Sequence, residues 1–261
     1  LTSTHDGMGK FSITPQKEET YTAVVTINGI VNKRVSLPAA AGSGVLLGVR
    51  TENGTPYFNV NSETVKNGDR LEPAYLLATM ENSIAFRINI AEDQDNIKGV
   101  LPLNALPGGI VQLTVFNGND EPLAERLVFN FNKDFIAAGT FSTDTVSLSP
   151  RKKNVYSFDL ADSLDGDFSV AVTDIGNELA TYKSDNIISR FLLTNDIKGY
   201  VNNPGYYFEG DDDIHRSHLD LVMLTNGWRK FSWKEITSKQ LPQITYKDPN
   251  YISLKGLVYD E

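Results

Sequence analysis

Between Leu106 and Phe129 the chain reads LPGGIVQLTVFNGNDEPLAERLVF, with apolar residues at every second position on either side of a polar centre. Val111, Leu113 and Val115 fall on one face of an extended strand, and Leu127 and Phe129 repeat the same period on a second strand. The intervening NGNDEP supplies residues that tolerate left-handed and turn conformations. The pattern therefore predicts a β-hairpin with one buried face. A period of two also runs from Ile84 to Ile90, placing Ile84, Phe86, Ile88 and Ile90 inward and Ala85, Arg87 and Asn89 outward.

Further strands are predicted at Val45 to Arg50, Pro56 to Val60, Tyr75 to Met80 and Val100 to Leu103, and the hairpin supplies Ile110 to Phe116 and Leu123 to Phe131. Seven short strands separated by turn residues suit one antiparallel sandwich of immunoglobulin-like size, over residues 44–131. Upstream, Phe11 and Ile13 alternate, then Tyr21, Ala23, Val25 and Ile27, before a turn at Asn28 and Gly29. That is about three strands, too few to close a sandwich. Residues 1–38 therefore read as the C-terminal strands of a truncated domain, followed by the small, flexible stretch PAAAGSG.

From residue 132 the alternation continues through TVSLSP, NVYSFDLAD and GDFSVAVTD, and then gives way to helical spacing. Ser184 and Asp185 are good caps for a first helix with Ile187, Ile188, Phe191 and Leu192 on one face. The acidic run Asp211, Asp212 and Asp213 favours the start of a second helix, IHRSHLDLVMLTNGW, ending at Asn226 and Gly227. Its apolar residues Ile214, Leu219, Leu221, Val222, Met223 and Leu224 cover more than one face, which predicts burial on two sides. Residues 132–236 read as a third β-domain with two helices. Residues 237–261 read as a linker and the first strand, Ile252 to Tyr259, of a following domain.

The fold class is thus mainly β: tandem antiparallel β-sandwiches with a short C-terminal helical segment. With 33 acidic against 24 basic residues, the formal charge of -9 repels phosphate backbones, so nucleic acid is excluded as a partner. No run approaches the eighteen or so apolar residues of a membrane helix, so no direct membrane insertion is expected. Cysteine is absent, which removes disulfides, thiolate metal sites and thiol nucleophiles.

Candidate chemistry is sparse. His215 and His218 lie three apart on the second helix and could share a metal, but no HExxH pattern accompanies them, and packing or surface roles suit them better. A catalytic triad would need one of these or His5, and no GxSxG elbow presents a nucleophile. Asp93, Asp95 and Asp211 to Asp213 offer calcium-type ligands without the interleaved spacing of a calcium loop. No catalytic residue, metal or cofactor is therefore assigned. Tyr206, Tyr207, Trp228 and Trp233 are the candidate contact residues, as an aromatic platform for a glycan or peptide or as packing against a neighbouring domain.

The stretch GVLPLNALPGGIVQLTVFNGNDEPLAERLVFNF is similar to the strand pair that closes macroglobulin-like domains of the alpha-2-macroglobulin superfamily. GMGKFSITPQKEETYTAVV resembles the end of a preceding domain of that series, and FSVAVTD a strand of the following one. IISRFLLTNDIKGYVNNPGYYF and LDLVMLTNGWRKFSW resemble the region after such domains in large Gram-negative bacterial surface proteins. Those proteins continue into a carboxypeptidase-regulatory-like domain, whose opening strand YISLKGLVYDE resembles, and a TonB-dependent receptor plug. The resemblance implies an extracytoplasmic, outer-membrane-associated spacer or protein-interaction module, periplasmic or at the cell surface, that is not an enzyme. Its partners would be other domains of the same chain or outer-membrane proteins. The alternative is a glycan- or peptide-binding module of a nutrient-uptake system. Without cysteine there is no thioester, so covalent trapping by these residues is excluded.

Overall fold

A computed structural model describes residues 2–52, 54–63, 71–91, 96–133, 136, 139–147, 149–160, 169, 184–227 and 233–238. It is mainly β, with every described strand pair antiparallel. A first hairpin joins β1 (Thr22–Ile27) and β2 (Ile30–Ser36). The sandwich follows, with β3 (Gly44–Glu52), β4 (Thr55–Glu63), β5 (Pro73–Met80), β6 (Ser83–Asn89), β7 (Asn96–Val100), β8 (Gly109–Asn117) and β9 (Pro122–Asn130). Its sheets run β3-β4-β7 and β6-β5-β8-β9. A further hairpin pairs β10 (Gly139–Thr145) with β11 (Val155–Leu160). The helices are a single turn α1 (Ile187–Ser189), α2 (Asp213–Thr225) and α3 (Trp233–Thr237).

The strand order explains the core. Leu47, Phe58 and Val60 from the three-stranded sheet meet Leu76, Ala78, Val111, Leu113 and Val115 from the four-stranded sheet. The expected strand Val100 to Leu103 is displaced: β7 ends at Val100, and Leu103–Ala105 forms a 3-10 turn before β8. Asn130, at the end of β9, donates from Nδ2 to the carbonyls of Leu103, Leu106 and Pro107 at 2.9–3.0 Å, fixing this turn to the sheet. Gly109 adopts φ 138, and a Cβ there would sit 2.9 Å from the Met80 methyl, so both conformation and space favour glycine.

The two sheets differ on their outer faces. On the three-stranded sheet Leu46 points outward and is exposed. On the four-stranded sheet the outward residues Ile110, Leu127 and Phe129 are covered by Leu193, Ile197, Val201, Tyr207, Leu219, Val222 and Met223. The hairpin β8–β9 is thus covered on both faces, and Leu127 and Phe129 do not share a core with Val111 and Leu113. Trp233 on α3 extends the cover at one end, packing with Tyr75, Leu77 and Phe116.

Three expectations change for local reasons. Ile84 is exposed, because the β5–β6 register shifts between Ala78 and Thr79; Phe86 and Ile88 still pack inward. One extra residue reverses the face of everything beyond it. In the first helix Ile187 and Phe191 are exposed whereas Leu193 and Ile197 are buried. After α1 the backbone widens into a π-type turn, Arg190–Thr194, closed by Asn195 N–H donating to the Arg190 carbonyl. That wider turn sets the facing of the residues after it, whereas Ile187, which precedes it, already lies on the exposed side. Finally, Phe11 and Ile13 lie outside any strand and are exposed. The strand expectations at GDFSVAVTD, apart from Ser169, and at Ile252 to Tyr259 fall outside the described residues.

Candidate functional site

Among the described residues, the most chemically loaded place forms where residues 5–10 meet the helical layer. His5-Asp6-Gly7-Met8 makes a tight turn with φ 46 at Asp6 and φ 78 at Gly7. Those values suit a primed turn, which Asp-Gly favours. Met8 N–H donates to the His5 carbonyl at 2.7 Å, and His5 N–H donates back at 3.2 Å. The turn is carried onto α2 by Met8, which joins the apolar cluster under the helix and whose Sδ lies 3.2 Å from Thr225 Oγ1. Lys10 adds an ion pair to Asp220 at 3.4 Å.

Helix α2 supplies the other wall. Asp212 caps it, with Oδ1 accepting from the Ile214 and His215 amides at 2.9 and 3.0 Å. Its Oδ2 lies 2.6 Å from His215 Nδ1. These contacts, His215 first, hold the Asp212 carboxyl below its ordinary range. Asp211 is desolvated by burial, but Lys133 and Arg216 outweigh that and hold it low as well. Asp211 and Asp212 are therefore occupied with ion pairing and capping. Asp93 and Asp95 lie outside the described residues.

His215 and His218 lie on the side of α2 that faces the 3-10 turn Pro204–Phe208, which presents Tyr206 and Tyr207. The Tyr206 hydroxyl is 2.9 Å from His218 Nδ1. His5 stacks on His218 with ring centroids 4.0 Å apart and 11° between planes, and on Tyr206 at 4.8 Å. Tyr207 meets His5 edge-on at 5.6 Å. All 3 histidines of the chain meet here, a convergence that spacing along the sequence does not reveal. The one sequence signal for it is Asp6-Gly7, which marks a turn without saying what it touches.

The electrostatics follow from crowding. Burial, then His5 and His215, push His218 below its ordinary value, while Asp6 and Asp212 pull partly the other way. Burial raises the Tyr206 hydroxyl, helped by Asp212, Glu209 and Asp6. Burial raises Tyr207 too, with Asp6 and Tyr206 adding to it. The surroundings thus favour the neutral forms of His218, Tyr206 and Tyr207. Among the described residues no group of three or more His, Asp or Glu side chains is arranged to hold a metal ion.

The four candidate contact residues do not form one platform. Tyr206 and Tyr207 belong to the histidine cluster. Trp233 packs elsewhere, edge-on against Phe116 at 5.0 Å. Trp228 lies outside the described residues. No helix among the described residues is long and apolar enough to cross a membrane. Comparison with known families, curated proteins and solved structures gives no match.

Proposed function

We propose that the chain is a non-catalytic spacing and protein-interaction module of an extracytoplasmic, outer-membrane receptor-like protein built from macroglobulin-like sandwiches. The observation that carries the reading is the use of the aromatic residues in packing. Tyr207 is 1% exposed against the chain's own sheet, and Trp233 is half-buried on Phe116. Aromatics that bind a glycan or peptide need an open face to stack on. Here they bind the helical layer to the sandwich, giving a body suited to holding its neighbours at a fixed distance.

The test is to express the intact protein in a Gram-negative host, separate membrane fractions, crosslink, and screen the purified chain with ester, glycoside and peptide substrates. Recovery with the outer membrane, crosslinks to proteins there and no turnover are expected. Turnover lost on changing a single His or Asp would overturn the reading. A second reading, a glycan- or peptide-binding module, rests on Tyr200 and Phe191, which are exposed on the helical layer. Binding to a glycan or peptide array, lost in Tyr200→Ala, would favour it.

A further inference from the structure

We propose that the first turn of the chain is an acid-released strap, docked on α2 while its histidines are neutral and let go when protons accumulate on the stacked pair His5 and His218. Two neutral imidazoles stack without an electrostatic cost, whereas two imidazolium ions with centroids 4.0 Å apart repel in a partly desolvated place. Histidine is the side chain whose ordinary titration lies in the mildly acidic range. The segment around His5 belongs to no strand of the sandwich, so a local charge change can move it without unfolding the sheets.

Every facing charge bears on the outcome. From the turn, Asp6 Oδ2 lies 3.3 Å from His5 Nε2, and from the helix cap Asp212 Oδ2 lies 2.6 Å from His215 Nδ1. Each of those histidines thus has a carboxylate oxygen within 3.3 Å. His218 has none so close; its Nδ1 faces the Tyr206 hydroxyl. From the 3-10 turn, Glu209 acts on Tyr206. Asp211 is engaged by Lys133 and Arg216, and Asp220, further along α2, by Arg126 on β9 and by Lys10. The proton on His218 is therefore the least compensated. Because its folded value is depressed, docking is favoured above the ordinary histidine value and weakens as pH falls through it toward the folded value.

The chain has 3 methionines, which makes methyl-labelled methionine a simple probe: Met8 on the strap, Met223 on α2 and Met80 in the sandwich core. The whole chain is titrated from about pH 7.5 to about pH 5, where ordinary aspartates stay ionised. The histidine ring signals are followed in the same samples. The Met8 signal should move to the position of a solvent-exposed methionine, at the midpoint of the His218 ring signal, while Met80 stays in place. In His5→Phe, which keeps a flat ring but cannot take a charge, the repulsion within the stacked pair is gone and the midpoint should move to lower pH. A Met8 signal that stays fixed throughout overturns the proposal, as does an unchanged midpoint in His5→Phe. If His5→Phe is already undocked at neutral pH, His218→Gln is judged by the same criterion. Should both variants be undocked, the wild-type comparison decides: coincidence of the Met8 and His218 midpoints supports the strap, and a mismatch rejects it.

Discussion

Two hairpins of the same molecule, β8–β9 and β1–β2, share an alternating apolar pattern and have opposite fates. Along β8 every residue from Gly109 to Phe116 is buried. In β1–β2, Val24, Val25, Ile27, Ile30, Val31 and Val35 are all exposed. The ribbon turns well: Asn28 has φ 51 and Gly29 φ 78, as a two-residue primed turn requires. Local chemistry is satisfied in both. What differs is the layers: β8 has a sheet on one side and helices on the other. Alternation specifies a strand, and its stability comes from what lies above and below it.

The largest effect that tests this contrast comes from truncating β8–β9 on each face in turn. Leu113 is fully buried between the sheets, and Leu127 is buried under the helical layer. Leu113→Ala and Leu127→Ala should each cost about 2–5 kcal/mol, read as a lower urea midpoint. A Leu127→Ala change within about 0.5 kcal/mol of wild type would mean that the outer face is wet in solution, and the two hairpins would differ less than described.

Much of the sandwich is legible in the sequence, because strands and turns are local. Six of the seven strands, the Asn117 turn and the limits of α2 follow from alternation, turn residues and the Asp212 cap, whereas β7 lies ahead of the strand expected at Val100 to Leu103. The second layer over β8 is not legible. Gln112 and Thr114 occupy its outward positions, as they would on a solvated face, yet both are buried. The residues that cover that face are Met8 and residues beyond 184, and nothing in the spacing of β8 refers to them. Ile84 escapes because one bulge shifts the phase by a residue, and Phe191 because it shares the exposed face of Ile187, four positions earlier. The histidine cluster is harder still, since its walls lie about as far apart in the chain as Lys10 and Asp220, 210 positions. Composition, by contrast, exposes the site's poverty in conventional chemistry.

A middle-sized effect sits where the outer face of the sheet meets its own hairpin turn. The Tyr75 hydroxyl donates to Asp120 Oδ1 at 2.6 Å, and the Arg87 guanidinium lies 3.8 Å above the Tyr75 ring. Burial, then the hydrogen bond and charge of Asp120, raise Tyr75 to about 12, against a smaller opposing effect of Arg87. A raised folded value stabilises below the ordinary tyrosine range, and that contribution is lost as pH rises through about 12. Tyr75→Phe keeps the stack on Phe116 and removes the hydrogen bond, so it should cost about 1 kcal/mol at neutral pH. The alkaline decline of the urea midpoint should also become shallower. An equally steep decline in the variant would assign it to Tyr206 and Tyr207 instead. Among the described residues nothing covers the open ribbon β1–β2 in this way, and its apolar side chains stay exposed.

The smallest expected effect belongs to the ribbon. Ile30 is 73% exposed beside the Asn28-Gly29 turn, so truncating it removes little area from contact with the rest of the chain. Ile30→Ala should leave the urea midpoint within about 0.5 kcal/mol of wild type. The value of the measurement lies in its contrast with Leu127→Ala, since both remove a branched aliphatic side chain from an antiparallel hairpin. A loss for Ile30→Ala as large as that for Leu127→Ala would show that something covers the ribbon in solution. Sedimentation at several protein concentrations would then separate a second copy, whose contribution grows with concentration, from a contact within one chain, whose contribution does not. A negligible loss at every concentration leaves the ribbon as it stands here, correctly turned and uncovered on both faces.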